Sequence, residues 1–403
     1  MKSIGIFWKS NHDEDDYCQR CPHGKDKVRE TNENCPSKDE LFEFQINLWN
    51  TDVINVANND RHRFRAIDFG IICPLSTRKL VFLLPFKVDK SAFHDLVKCL
   101  SLDTDLLCTV FNEDLKSTSE PAKSYHKIES PNIHLLMYEL SKENIESLVY
   151  DDAVDVTEMT ISINTNFEDE KLNDYQLFIR FRLKLNSFDS FAKKKRISND
   201  WLQSAFSSTY MFDIRLNDVR ELSKKKKELV EFKGYQLPVF KKIHFFYMAD
   251  SEENVENGSA MTLDKRLLEK ERWHSYLGEN IVFASENIAH HWKSKMKTPF
   301  KLEKVNVIDG KQSKEEFVSD EKFILNFTLF FKTEFSDYQF SRILLYAIIV
   351  VILGSLASAI ISLIGSFIPH DLRLERFVWG LVVFCTTILV VFGLYKSSNK
   401  YKR

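Results

Sequence analysis

Alternation of apolar and polar positions is clearest over Leu177–Leu185, where Ile179, Phe181, Leu183 and Leu185 alternate with Arg180, Arg182 and Lys184. Period two with one charged face predicts an antiparallel strand, half in a core and half in water. Shorter runs predict strands over Ser3–Trp8, Tyr210–Leu216, Ile243–Met248 and Phe323–Phe335, while Phe42–Trp49 fits a strand or a short helix. Phe64–Cys73 and Lys79–Phe86 read as a hairpin joined by Pro74–Arg78. Asp89 is placed to cap a helix running to Leu100, with Phe93, Leu96, Val97 and Leu100 on one face. Leu106–Phe111 reads as a buried strand, and Val219–Val230 and Leu263–Leu277 as helices. The pattern predicts an α+β body with a strand-rich second half and no internal repeat. Its divisions are a mixed α/β region over 1–112 with a polar insertion at 12–38, a charged, Ser-rich connection at 113–130, and a strand-rich domain over 131–342.

The chain ends differently. Ile343–Ile368 and Phe377–Tyr395 carry no formal charge. At ~1.5 Å per residue they measure about 39 Å and roughly 28 Å, against a hydrocarbon core of ~30 Å. A transmembrane hairpin over 343–395 is the expectation, with a basic tail over 396–403. Lys332 and Arg342 before it, and Lys396, Lys400, Lys402 and Arg403 after it, outweigh Arg373 and Arg376 between the spans. That bias predicts a multi-pass protein of the inner membrane with both termini cytoplasmic. Gly354, Ser358, Ser362 and Ser366 form a small-residue seam suited to close helix packing, within the hairpin or between subunits of a homo-oligomer.

Composition narrows the function classes. Fifty-six basic against 58 acidic residues leave a net charge of −2, so no global field points to nucleic acid. Only 11 Gly accompany 33 Phe, which suits aromatic-rich strands, and no Gly-rich phosphate loop or hydrolase motif occurs. Cys18-Gln19-Arg20-Cys21-Pro22-His23 is a C-x-x-C knuckle, and Cys35-Pro36 follows. Cys18, Cys21 and Cys35, with His23 or His12, could complete a structural Zn²⁺ site. Unligated surface cysteines and a redox dithiol stay open beside it. His62, His274 and the pair His290-His291 lack a spacing that predicts catalysis. Asp151, Asp152 and Asp155 lack the spacing of a calcium loop. Two basic runs, Lys193-Lys194-Lys195-Arg196 and Lys224-Lys225-Lys226-Lys227, are candidates for binding a nucleotide, nucleic acid or anionic lipid.

In architecture, carried by Ile343–Tyr395 alone, the chain resembles the membrane effectors of bacterial anti-phage defence. That resemblance implies an intracellular sensor whose membrane helices assemble and damage the inner membrane, with the lipid bilayer, further copies of itself and an anionic ligand or protein as partners. A membrane-tethered nuclease or phosphoesterase is the alternative from another class, and a recruitment scaffold the third.

Overall fold

In the computed structural model of the chain, the described residues are 3–10, 41–119, 123–164, 172, 174–195, 207–278, 280–295, 301–308, 311–318, 324–336 and 340–366. They fall into two compact units, one within Met1–Lys193 and Tyr210–Thr333, the other within Lys194–Thr209 and Glu334–Arg403.

The chain opens with β1 (Gly5–Ser10), β2 (Leu41–Asn55), β3 (Asp60–Cys73) and β4 (Thr77–Leu84). A 3₁₀ turn, β5 (Phe93–Asp95), α1 (Val97–Leu102) and α2 (Thr104–Phe111) follow. Next come β6 (Lys116–Ser119), β7 (Tyr125–Glu129), β8 (His134–Tyr138), β9 (Ile145–Asp151), β10 (Val156–Ser162), β11 (Gln176–Lys184), β12 (Ala192–Lys195) and β13 (Ser207–Leu216). After α3 (Val219–Lys227) and a π-helical turn come β14 (Val239–Asp250), β15 (Asn254–Asn257) and β16 (Leu263–Leu268). α4 (Lys270–Leu277), β17 (Ile281–Phe283), β18 (Asn287–Lys295), β19 (Lys301–Ile308), β20 (Lys311–Val318), β21 (Phe327–Ser336) and α5 (Phe340–Ser366) complete the order. The result is a strand-rich α+β fold.

The first unit is built on one long sheet, ordered β16-β18-β14-β2-β3-β11-β8-β7-β6, with β17 added to β2 and β5 to β11. Its centre is antiparallel except that β14 runs parallel to β2 and β11 parallel to β8. Phe42, Phe44, Ile46 and Leu48 of β2, Phe69 and Ile71 of β3, and Phe181 and Leu183 of β11 point to one core, shared with Ile6, Phe82 and Met159 of the four-stranded sheet β1-β4-β10-β9. Phe212, Phe327 and Phe331 of the sheet β12-β13-β21-β15 enter the same core. The opposite face of the long sheet packs under α1, α2 and α4 through Trp49, Phe178, Leu100, Leu106, Trp273 and Tyr276. With glycine scarce, the five left-handed non-glycine positions among the described residues are all Asn or Asp, including Asn59 in the β2–β3 turn and Asn112 closing α2.

Both faces of β11 are therefore covered, and the half-solvated strand is corrected. Arg180 and Arg182 are buried. The Arg182 guanidinium meets Asp68 through Nε to Oδ1 at 2.7 Å and Nη2 to Oδ2 at 2.9 Å. Asp68 also accepts from Trp49 Nε1 at 2.6 Å and Tyr276 Oη at 2.8 Å. Arg180 donates to Tyr276 Oη and to Gln45 Oε1, both at 2.7 Å. Gly70 leaves room for that reach: a Cβ there would stand 3.3 Å from both Arg180 Nη1 and Gln45.

Other expectations change for local reasons. β3 and β4 form no hairpin. The turn at Pro74, closed by Thr77 N–H to the Pro74 carbonyl at 3.0 Å, sends β4 into the other sheet, between β1 and β10. Asp89 caps only the 3₁₀ turn Lys90–Ala92, and Leu106–Phe111 is helical within α2, capped by Asp103 accepting from Leu106 N–H. The segment 113–130 carries β6 and β7, and the predicted helix Leu263–Leu277 splits into β16 and α4.

The multi-pass membrane location is also corrected. Phe377–Tyr395 lies outside the described residues. Among the described residues no helix is long and apolar enough to cross a membrane.

Candidate functional site

Cys18, Cys21, His23 and Cys35 lie outside the described residues, and among those described no group of His, Cys, Asp or Glu is arranged to hold a metal. Gly354, Ser358 and Ser362 lie along α5, and Ser366 is its last residue. Lys193, Lys194 and Lys195 belong to β12, and Arg196 is outside the described residues. Lys224–Lys227 form the last turn of α3. There Lys225 faces Asp151, Glu158 and Glu228 at 3.5–3.6 Å, and Lys227 faces Glu231 at 3.9 Å. Around Lys225 and Lys227 the structure sets carboxylates rather than an open site.

It assembles a different one. On the helix-facing side of the long sheet, register places Lys242 of β14 between Glu43 of β2 and Lys295 of β18. The next row holds Gln45, His244 and Lys293, and the row after it Asn47, Phe246 and His291. Alternation on two neighbouring strands thus stacks K-x-H-x-F against H-x-K-x-K. An irregularity at Lys241 lets two consecutive lysines reach one carboxylate, Lys242 to Glu43 at 2.9 Å and Lys241 at 3.5 Å.

Three rings on this face are nearly parallel. Phe246 lies 4.2 Å from His291, centroid to centroid, at 6°. His244 and His291 lie side by side, 5.2 Å apart at 6°, and are joined from Nδ1 to Nε2 at 3.0 Å. One imidazole must donate that bond and the other accept it, which requires at least one neutral ring. Burial, then the charges of His291, Lys293, Lys242 and Lys295, pushes His244 down to about 3. Burial also lowers His291, with Lys293 adding to the effect and Asp264 of β16 opposing it. Lys293 is lowered by burial and by its neighbours Lys295 and Lys242, with Glu43 opposing. Lys293 and Lys295 are exposed, and no ion-pair partner stands beside either among the described residues. Asn47, buried beside Phe246, has an Oδ1 without a hydrogen-bond donor.

Two further clusters resolve as structural. Arg63 meets Asp52 at 3.1 Å, Glu253 at 3.3 Å and Asp250, and donates from Nε to Asn50 at 2.9 Å. Glu253 is raised to about 7 by burial, against the bonds from Tyr247 and Arg63. This network ties β2, β3 and β14 together. A hollow of about 690 Å³ beside α1, α2 and α4 is lined by Cys99, Asp103 and His274. Within it Asp103 caps α2 and accepts from Ser275 at 2.8 Å, and burial pushes Cys99 up to about 11.

No known protein family matches the chain, and no curated protein matches it.

Proposed function

We propose that the chain is a non-enzymatic sensor module that binds a phosphate-bearing anion on the face formed by Lys242, Lys293 and Lys295. One observation carries this reading: three lysines on adjacent strands repel one another over a half-buried ring platform, answered by Glu43. Like charges directly opposite on neighbouring strands, as Lys242 and Lys295 are, destabilise a sheet. A bound polyanion offsets that repulsion, and the imidazole N–H groups and lysine ammonium groups supply its donors.

A specific feature favours a second reading. The β16–β18 ladder ends at Leu263 opposite Trp292, so Lys293–Lys295 run along an unpaired strand edge. Lysines there guard against pairing with another chain. Calorimetric titration with inorganic pyrophosphate separates the two. The sensor reading expects saturable binding that weakens with salt and falls at least about tenfold in a Lys293→Glu/Lys295→Glu double variant, a loss of ~1.4 kcal/mol or more. Absence of binding to the parent chain leaves the edge-guard reading standing. Release of orthophosphate from the pyrophosphate, lost in the double variant, replaces the sensor with an enzyme.

A further inference from the structure

His244 and His291 are more than two rings near a basic patch; they share a hydrogen bond that limits how many protons they hold. In the neutral pair one N–H···N bond joins the rings, leaving one outer N–H and one outer lone pair, whichever ring donates. Adding one proton converts the outer lone pair to a second outward N–H and keeps the central bond. Adding another would set two N–H groups against each other across 3.0 Å. The stack of Phe246 on His291 opposes rotation of that ring out of the pair.

We infer that His244 and His291 act as one proton-binding unit, and that an anion on the lysine face loads a single proton onto it, so that binding strengthens as pH falls. This regulation rests on the anion-site reading above. The charged groups facing the unit are Lys242 from its own strand β14, Lys293 and Lys295 from β18, Glu43 from β2 and Asp264 from β16. Among these groups the lysines outnumber the carboxylates, and with burial they hold both rings below the ordinary histidine range. An anion seated among the lysines reverses the sign of that field. The proton comes from solvent, and the protonated pair presents two outward N–H groups to the anion in place of one.

The test uses inositol hexasulfate, whose charge does not change near neutrality, so that any proton taken up belongs to the protein. Calorimetry of the full chain at about pH 6, in buffers of different ionisation enthalpy, should show uptake approaching one proton per site. Affinity should rise by up to about tenfold per pH unit on acidification, the limit for one linked proton. A His291→Asn variant should still bind through the lysines, more weakly and without proton uptake. Histidine Cε1–H resonances of the parent chain, followed by NMR with and without the anion, give a readout that needs no variant: two rings should shift together, at higher pH when the anion is present. Binding without proton uptake and without a shift in that titration overturns the inference and leaves the anion site standing. No binding of inositol hexasulfate or pyrophosphate overturns both.

Discussion

Replacing Asp68 by Asn changes a carboxylate to an amide of nearly the same shape, at a point where four donors converge. Arg182 Nε and Nη2, Trp49 Nε1 and Tyr276 Oη all donate to Asp68 within 2.6–2.9 Å. The variant leaves the Arg182 guanidinium charged and stacked among the rings of Trp49, Phe64 and Tyr276, 4.9–5.5 Å from their centroids, without its counter-ion. Breaking a buried pair on one side costs about 3–5 kcal/mol. That is a large share of the ~5–15 kcal/mol that holds a typical domain together. Urea unfolding followed by far-ultraviolet circular dichroism should show the midpoint falling accordingly. Arg182→Met should cost a similar amount, because Asp68 then remains charged beneath α4. The double variant Asp68→Leu/Arg182→Met removes both charges of the pair and loses partners for Trp49 Nε1, Tyr276 Oη and the Tyr276 and Leu277 carbonyls, at roughly 1–3 kcal/mol each. It should therefore be more stable than the sum of the singles predicts by at least about 2 kcal/mol. Additivity within ~0.5 kcal/mol would refute the coupling and with it the claim that this pair is desolvated.

Two further outcomes follow from the same ledger of buried charge. Arg63→Met removes the cation that Asp52, Asp250 and Glu253 share. Glu253 already sits near 7 against an ordinary 4.5, so the folded state holds an extra proton in that window and stability falls as pH rises through it. Loss of Arg63 raises Glu253 further, so the variant's deficit should grow from about pH 5 to about pH 8, reaching roughly 2–4 kcal/mol in denaturant titrations; a deficit independent of pH would count against the network. His290 is buried with both ring nitrogens unpartnered, and burial, with Lys265 adding, pushes it down to about 4 from an ordinary 6.5. The unfolded chain therefore binds a proton that the folded chain refuses between those values, and stability is lost as pH falls through them. His290→Leu should flatten that acid-side slope by up to ~1.4 kcal/mol per pH unit, and parallel pH curves for parent and variant would exclude it.

Strands with regular alternation were legible in the sequence, and β11, β13, β14 and β21 all lie where period two places them. Which of their faces meets water was not. Arg180 and Arg182 look solvated only until Gln45 and Asp68 are brought beside them, and those partners sit on β2 and β3, far away in the chain. The β3–β4 turn carried hairpin chemistry, yet the two strands belong to different sheets, because pairing is decided by which faces can be buried together. In α2 the signals were present: Asp103 before it and Asn112 after it are capping residues, and the apolar run between them outweighed them in the reading. The basic site is not written as a run of contiguous lysines. On a strand consecutive side chains point to opposite faces, so a patch is written in alternate positions on neighbouring strands. Lys242-x-His244 and His291-x-Lys293-x-Lys295 are written that way.

The two polar regions of the long sheet share one face, and they differ in charge balance and in what covers them. Register runs Arg182, Asp68, Asn47, Phe246 and His291 along a single row, and Arg180, Gly70, Gln45, His244 and Lys293 along the next. At the β3–β11 end the charges are balanced and roofed by α4, whose Tyr276 supplies both a hydroxyl and a carbonyl to the arginines. At the β14–β18 end the lysines outnumber Glu43 and Asp264, and Lys293 and Lys295 stand in solvent. A sheet face whose polar groups are matched under a helix needs nothing more. One whose lysines oppose each other across strands, above a ring platform, carries ammonium donors in excess of carboxylate acceptors. In the proposed function, an anion supplies at the open end what Asp68 supplies under α4.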